Sequence, residues 1–372
     1  MRSKKNIVYI ISHVTKSYIF EWTIEYLDKT KNNYAFILLN ENYSELERFI
    51  SYKGIPVYRF AYRGNKDFLK CLWKTYRLLK KLKADIVHAH LFEACLVGLI
   101  AAWLAGVKRR IHTRHNATYH LNYFPSAVKY DKLINYLSTD IIAISENVKN
   151  ILIKYENACP GKIRVIHHGF DFYYIANITN DRTHHIKKKY DIPSEGKIIG
   201  VISRYIEWKG LQFIIPAFKK FLDNHPSSFL ILANAEGPFE PTIHNLLNTI
   251  PENRYREIKF ESDIYALIRC FDYFIHVPID AECEAFGLVY IEAMACKIPS
   301  IITLSGVVNE FTEHKKNALI VPHKSIDEIY RCLEELNQNA ELAKSISEKA
   351  YCDVISRFDI KKSVTELENL YE

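Results

Sequence analysis

Short apolar runs alternate with amphipathic stretches along nearly the whole chain. In the first half, Ile7–Ser12, Tyr34–Asn40, Val57–Phe60, Asp85–His90, Arg110–Thr113, Ile141–Ser145 and Arg164–Ile166 predict strands. Segments between them, such as Phe20–Asp28, Lys66–Lys83, Glu93–Ala105 and Glu146–Tyr155, predict helices. The alternation then runs a second time, with strands predicted over Ile198–Ser203, Phe229–Ala233, Ile258–Phe260, Tyr273–Val277, Ser300–Thr303 and Leu319–Val321. Strands that are apolar throughout are covered on both faces, and the helices between them provide the crossovers that parallel neighbours require. The pattern predicts an α/β protein of two open, doubly wound parallel-sheet domains facing a central cleft. The break falls between His168 and Lys197, where Asn, Thr, Asp and His replace periodicity. It divides the chain into a first domain over 1–170, a linker over 171–196 and a second domain over 197–355. A helix in 356–372 is expected to pack back toward the first. Ligands of such sheets bind beyond the carboxyl ends of the strands.

A length of 372 residues suits two domains rather than one core. The net charge of +7 conceals an asymmetry. Residues 1–168 carry 27 Lys and Arg against 13 Asp and Glu, whereas residues 169–372 carry 23 against 30. The first domain is therefore expected to meet something anionic. The eight cysteines show no metal-binding spacing and read as reduced thiols of a cytoplasmic protein. The apolar run at the N-terminus is short, with His13 and Lys16 close behind, and reads as a first core strand rather than a signal peptide. No apolar run is long enough to span a bilayer.

The segment VPIDAECEAFGLVYIEAMACKIPSIIT leaves a strand, crosses a loop and enters a helix predicted over Leu288–Ala295. Amides of Phe286, Gly287 and Leu288 at that helix start suit a diphosphate. Glu284 and Glu292 bracket the amides, and carboxylates accept paired hydrogen bonds from vicinal hydroxyls of a sugar or a ribose. Acidic residues near a helix N-terminus also complement its dipole with no ligand present. Upstream, Arg204 and Lys209 offer a fork and a mobile point charge to phosphate oxygens. In Lys66–Lys83, Leu69, Leu72, Trp73, Tyr76 and Leu79 form one stripe and Lys70, Lys74, Arg77 and Lys81 another. The basic stripe reads either as a solvated face or as one that meets anionic lipid. His88 and His90 are expected on opposite faces of their strand, lining or packing rather than sharing a metal.

The stretch EAFGLVYIEAMACKIP resembles the E-x7-E signature of glycosyltransferase family 4, a retaining group with the GT-B fold. GVISRYIEWKGLQFIIPAF resembles that family's Gly-Arg and Lys-Gly element, KADIVHAHLFEA its H-x-H strand, and RIHTRHNATYH its T-x-H loop. The resemblance implies that Arg204 and Lys209 grip the donor diphosphate. It also implies that Glu284 orients the sugar, Glu292 meets the ribose, and His115 reaches the donor sugar as a hydroxyl ligand. Departures are Lys297 for a usual Gly, SHVTKSYIF where a Gly-rich loop is common, and His168-Gly169 for Asn-Gly. Ser12, His13, Thr15 and Asn116 then stand as acceptor-side candidates.

The resulting expectation is a metal-independent, cofactor-free, retaining glycosyltransferase of the hexosyltransferase type. It would move a sugar from a nucleotide-sugar to a lipid-linked or oligosaccharide acceptor, in cell-surface polysaccharide or lipopolysaccharide synthesis. It would be cytoplasmic or peripheral at the inner membrane surface, with no nucleic-acid partner. A nucleotide-sugar epimerase and a non-catalytic nucleotide-sugar or membrane-surface binding protein are the alternatives.

Overall fold

A computed structural model describes residues 4–372, which form two compact units. The first unit comprises residues 4–170 with Phe358–Glu372, and the second Asp171–Arg357. In the first, β1 (Asn6–Ser12), β2 (Asn33–Leu39), β3 (Val57–Phe60), β4 (Ile86–His90), β5 (Arg109–Arg114), β6 (Asp140–Ala143) and β7 (Ile163–Val165) make one parallel sheet. Its order is β3-β2-β1-β4-β5-β6-β7. In the second, β8 (Ile198–Ile202), β9 (Phe229–Ala233), β10 (Tyr255–Ile258), β11 (Tyr273–His276), β12 (Ser300–Ile302) and β13 (Leu319–Ile320) make another parallel sheet. Its order is β10-β9-β8-β11-β12-β13. Both orders reverse once, between β1 and β4 and between β8 and β11. A reversal opens a crevice at the carboxyl ends, because crossovers on its two sides leave in opposite directions.

All thirteen expected strands are present among the described residues. The largest displacement is β10, which ends at Ile258 where the sequence suggested a strand running on to Phe260. Pairing with β9 from Tyr255↔Leu230 to Ile258↔Ala233 uses up the partner strand, and Phe260 is left 70% exposed. The Phe68–Leu82 helix also turns differently from expectation. It buries Cys71, Thr75 and Leu79, while Leu69 (75% exposed) and Trp73 (60%) stand in solvent beside Lys70, Lys74, Arg77 and Lys81.

Residues read as a linker are folded. The Phe172–Ala176 and Asn180–Lys189 helices belong to the second unit. The latter buries only Ile186, so it shows no apolar stripe. Polar contacts hold this segment: Arg182 lies on both oxygens of Asp263 at 2.7 Å, and Lys189 on Glu261 at 2.6 Å. Arg269 adds bonds to the carbonyls of Ile175, Ala176 and Ile178.

The chain ends in the first unit with the Ile360–Tyr371 helix, which buries Ile360, Val364, Leu367 and Tyr371 at helical spacing. Backbone bonds between Phe170 and both Phe358 and Ile360 tie its start to the end of the first long segment. A Cβ at Gly169 would lie 2.7 Å from the Ile360 Cα, so this approach requires glycine. No helix among the described residues is long and apolar enough to cross a membrane.

Candidate functional site

The second unit collects its charged groups beside the β8–β11 reversal. Strand β8 is buried throughout, and Arg204 is exposed just beyond its end. The Arg204 guanidinium makes no hydrogen bond or ion pair with any described residue. Buried Tyr205 anchors the following turn by donating to Glu257 Oε1 at 2.6 Å. Lys209 closes a short 3-10 turn, and Gly210 (φ 80°) starts the Leu211–Asn224 helix. A Cβ on Gly210 would lie 2.0 Å from the Val277 carbonyl oxygen, so the turn is pressed against the end of β11 and only glycine fits there.

That closeness brings Lys209 onto Glu284. Lys209 Nζ lies 2.6 Å from Glu284 Oε2, and His276 Nε2 lies 3.2 Å from the same oxygen. Asp280 shapes the intervening loop by accepting from the amides of Glu282 and Cys283, and the Ser305 hydroxyl accepts from the Glu284 amide. Burial would raise the Glu284 carboxyl, but the Lys209 charge and the His276 hydrogen bond outweigh it and hold it at about 2. Glu284 is therefore an anion at any working pH.

Gly287 (φ 81°) precedes the Leu288–Ala295 helix, and its own amide and that of Leu288 bond to no described residue. One turn on, half-buried Glu292 accepts from the Tyr265 hydroxyl at 3.2 Å. Burial pushes Glu292 up to about 7 against that hydrogen bond. Two carboxylates of one motif thus titrate far apart, as their surroundings dictate. Lys297, standing where the resembling sequences have glycine, adopts the left-handed φ of 59° that glycine takes without strain.

In the first unit the candidate residues separate. Ser12 is fully buried, and its hydroxyl accepts from the amide of Ala94 in the first turn of the Phe92–Leu104 helix. His13 is exposed with φ 54°, a left-handed turn in place of the missing glycine. Thr15 is exposed and Asn116 half-buried. His115 Nε2 meets His90 Nδ1 at 3.1 Å, and its ring stacks on His168 at 5.4 Å. Burial and the Arg114 charge lower His115 to about 4, which leaves it neutral.

The expectation for His88 and His90 is corrected. Residues two apart on a strand share a face, and these rings lie 4.1 Å apart. His88 bonds Tyr371 at 2.7 Å and Thr113 at 2.8 Å, and Tyr371 in turn bonds Tyr9. Tyr9, His88, His90, Thr113, His115 and His168 line part of a cavity of about 50 Å³.

Three residues that carry this arrangement stood out in no motif: His276, Arg114 and Asp131. The buried Arg114 guanidinium reaches Asp131 at 2.5 Å and also Glu156, while His120 bonds Asp131 at 2.7 Å and Asn135 bonds Glu156 at 3.1 Å. Arg114 directly precedes His115, so this network anchors the loop that presents it. Only the strand-ending position of His276 and the ion-pairing potential of Arg114 hinted at such roles.

Removing one partner of a buried pair leaves the others uncompensated, which costs about 3–5 kcal/mol. Arg114→Leu is therefore expected to destabilise the protein by roughly that amount, read as a lowered urea midpoint.

Models of known families match both halves of the chain. Glycosyltransferase Family 4 matches residues 24–172, and Glycosyl transferases group 1 matches residues 183–353. An uncharacterized glycosyltransferase of Methanocaldococcus jannaschii is 26% identical, covering 100% of this chain and 99% of its own. The UDP-Gal:alpha-D-GlcNAc-diphosphoundecaprenol alpha-1,3-galactosyltransferase of Escherichia coli is 24% identical over 82% of this chain and 79% of its own. Among solved structures, Anabaena Alr3699/HepE in complex with UDP and glucose superposes with a TM-score of 0.84 at 19% identity, covering 99% of each chain. That likeness concerns the fold. Matched in sequence over both halves and in fold along nearly its whole length, the chain belongs to glycosyltransferase family 4, with the GT-B fold.

Proposed function

We propose that this glycosyltransferase takes a nucleotide-sugar donor in its second unit and retains the anomeric configuration. One observation carries the reading: a largely buried Lys209–Glu284 pair leads into a helix N-terminus where the amides of Gly287 and Leu288 bond to no described residue, while exposed Arg204, shortly before Lys209 in the chain, is unpaired among the described residues. A diphosphate satisfies those amides and cations together. Arg204 and Lys209 stabilise the leaving nucleoside diphosphate, and the amides of Phe286, Gly287 and Leu288 cradle it. Glu284, held ionised, accepts from sugar hydroxyls, and Glu292 accepts from the ribose. His115, neutral, serves as a sugar-hydroxyl ligand rather than a general base.

No D-x-D sequence occurs in the chain, and the two cations supply the charge that a divalent metal would otherwise bring. The reading is therefore metal-independent. Glu284 is paired with Lys209 and His276 and is read as orienting the sugar, so a same-face displacement assisted by the departing diphosphate fits better than attack by a carboxylate. Family membership favours transfer over donor epimerisation or binding alone.

The acceptor is read as lipid-linked or oligosaccharide, in cell-surface polysaccharide or lipopolysaccharide synthesis. The Escherichia coli relative, named for a diphosphoundecaprenol-linked acceptor, supports the lipid-linked form. Lys70, Lys74, Arg77 and Lys81 are exposed and form no ion pair with any described residue, and Leu69 and Trp73 stand exposed among them. Exposed cations without a carboxylate partner, Lys74 lying over the Phe60 ring, interleaved with apolar side chains suit the anionic, cytoplasmic face of a membrane.

Arg204→Ala, Lys209→Ala and Glu284→Ala should each lower turnover by about 10²–10³-fold, the loss typical of one electrostatic stabiliser. A thermal-shift panel of UDP-, GDP-, ADP- and TDP-sugars identifies the donor for that assay, and near-normal rates in all three variants would sink the reading. Glu292 is ionised only above about pH 7. Nucleoside diphosphate affinity should therefore rise as pH goes from 6 to 8, by up to about tenfold relative to Glu292→Gln, which lacks the titrating group. Equal pH slopes in calorimetric titrations of the two proteins would remove Glu292 from the site. Flotation with anionic vesicles should fall when Lys70 and Lys74 are changed to Glu, and unchanged flotation would detach this helix from the membrane.

A further inference from the structure

Between the Lys209–Glu284 pair and the core stands His276, the last residue of β11, with no exposed surface. Its Nε2 faces a carboxylate oxygen and so carries the proton, donating to Glu284 Oε2 at 3.2 Å. Its Nδ1 is buried with no hydrogen-bond partner among the described residues. That arrangement makes sense for one tautomer only. A bare ring acceptor is tolerated more readily than a buried N–H with nothing to meet, so the proton belongs on the Glu284 side. Strand β11 fixes the backbone, while Tyr290 lies edge-on to the ring at 4.8 Å and Phe274 lies parallel to it at 6.3 Å. The imidazole is therefore immobilised on three sides.

Lys209 is held differently. Its ammonium sits at the end of a four-carbon stem, packed over the Trp208 ring at 4.2 Å, and the side chain retains 16% exposure. Both donors converge on one carboxylate oxygen, yet only the lysine can leave it. A diphosphate carries more negative charge than a carboxylate and competes for the lysine. A carboxylate abandoned by its cation in a buried site tends to take up a proton or turn toward another donor.

We propose that His276 is a positioning residue which keeps Glu284 ionised and aimed while Lys209 moves from that carboxylate to the donor diphosphate. The inference rests on the donor reading above. In the resting protein the lysine neutralises the glutamate. On donor binding the same cation serves the leaving group, and the fixed N–H of His276 remains on Oε2. Cys283 and Tyr290 also face Glu284, and neither carries charge near neutral pH because burial raises both.

The test uses the full chain with His276→Leu, which fills the space without a donor, and His276→Gln, which restores an N–H. UDP (or the diphosphate of whichever donor shifts melting most) is titrated by calorimetry, and donor turnover is followed with water or lipid extract as acceptor. His276→Leu should bind the diphosphate as the unaltered protein does, yet lose turnover by roughly 10–100-fold in kcat, the range for partners that orient a directly acting group. Its rate should also fall toward acid between about pH 7 and 5, as Glu284 becomes protonated without its fixed donor. His276→Gln should recover most of the rate and flatten the profile. Normal kcat and pH profile in His276→Leu overturn the proposal. So does equal loss in both variants accompanied by lost diphosphate binding, the result for a residue that only fills the core. If the Leu variant does not fold, a folded Gln variant as inactive as Glu284→Gln overturns it equally. If the unaltered protein binds no nucleoside diphosphate, the donor reading itself fails, and this inference falls with it.

Discussion

A parallel strand covered on both faces offers a polar side chain one natural place, its carboxyl end, where the sheet meets solvent or a ligand. Several of the polar groups described above obey that constraint, while Lys209, Glu284 and Glu292 stand on the turns and helix that follow the strands. Ser12 ends β1, His90 ends β4, Thr113 and Arg114 end β5, Arg204 follows β8 and His276 ends β11, whereas His88 lies within β4. The apolar interiors between them, such as Ile198–Ile202 and Phe229–Ala233, are buried at every position. Hydrophobic burial thus sorts the chemistry before any ligand is considered, and the reversal in strand order chooses which strand ends border a crevice.

The same constraint explains what could be read in advance. Apolar runs announced the strands because a strand buried on both faces needs no alternation, and the E-x7-E segment announced the helix Leu288–Ala295 at its correct bounds. Contacts between distant segments were invisible. His276 looks like one more residue of an apolar run, and only the 3.2 Å approach to Glu284 gives it a role. Arg114 reads as the variable residue of a T-x-H loop, although it is the hub of a buried network with Asp131 and Glu156. His88 and His90 were placed on opposite faces against the strand's own two-residue period. The Asn180–Lys189 helix escaped because ion pairs rather than an apolar stripe hold it.

The charged groups fall into two regimes that match their exposure. Arg114 is 6% exposed and saturated by two carboxylates, with Asp131 held below its usual range by His120 and Arg114 against the effect of burial. Such a group can move little without leaving a buried charge uncompensated, so it serves architecture. Arg204 is exposed and uncommitted, so a ligand can recruit it with little desolvation. Lys209 lies between these limits, paired yet partly exposed, and it alone among the three can be exchanged between a protein carboxylate and an incoming anion.

Backbone conformation follows the same division of labour. Glycine remains where a side chain would strike fixed backbone: Gly210 against Val277, Gly169 against Ile360, and Gly306 against Phe286. Exposed residues other than glycine also take a left-handed turn, as His13 and Lys297 do with φ of 54° and 59°. The strain of such a conformation is tolerable at an exposed position, whereas a steric clash with a carbonyl oxygen at 2.0 Å, as at Gly210, is not. Loss of the glycine-rich character after β1 therefore alters the side chains displayed there without altering the need for a turn. It puts an imidazole at the mouth of the first sheet, while the donor-side turns, pressed against neighbouring strands, keep their glycines.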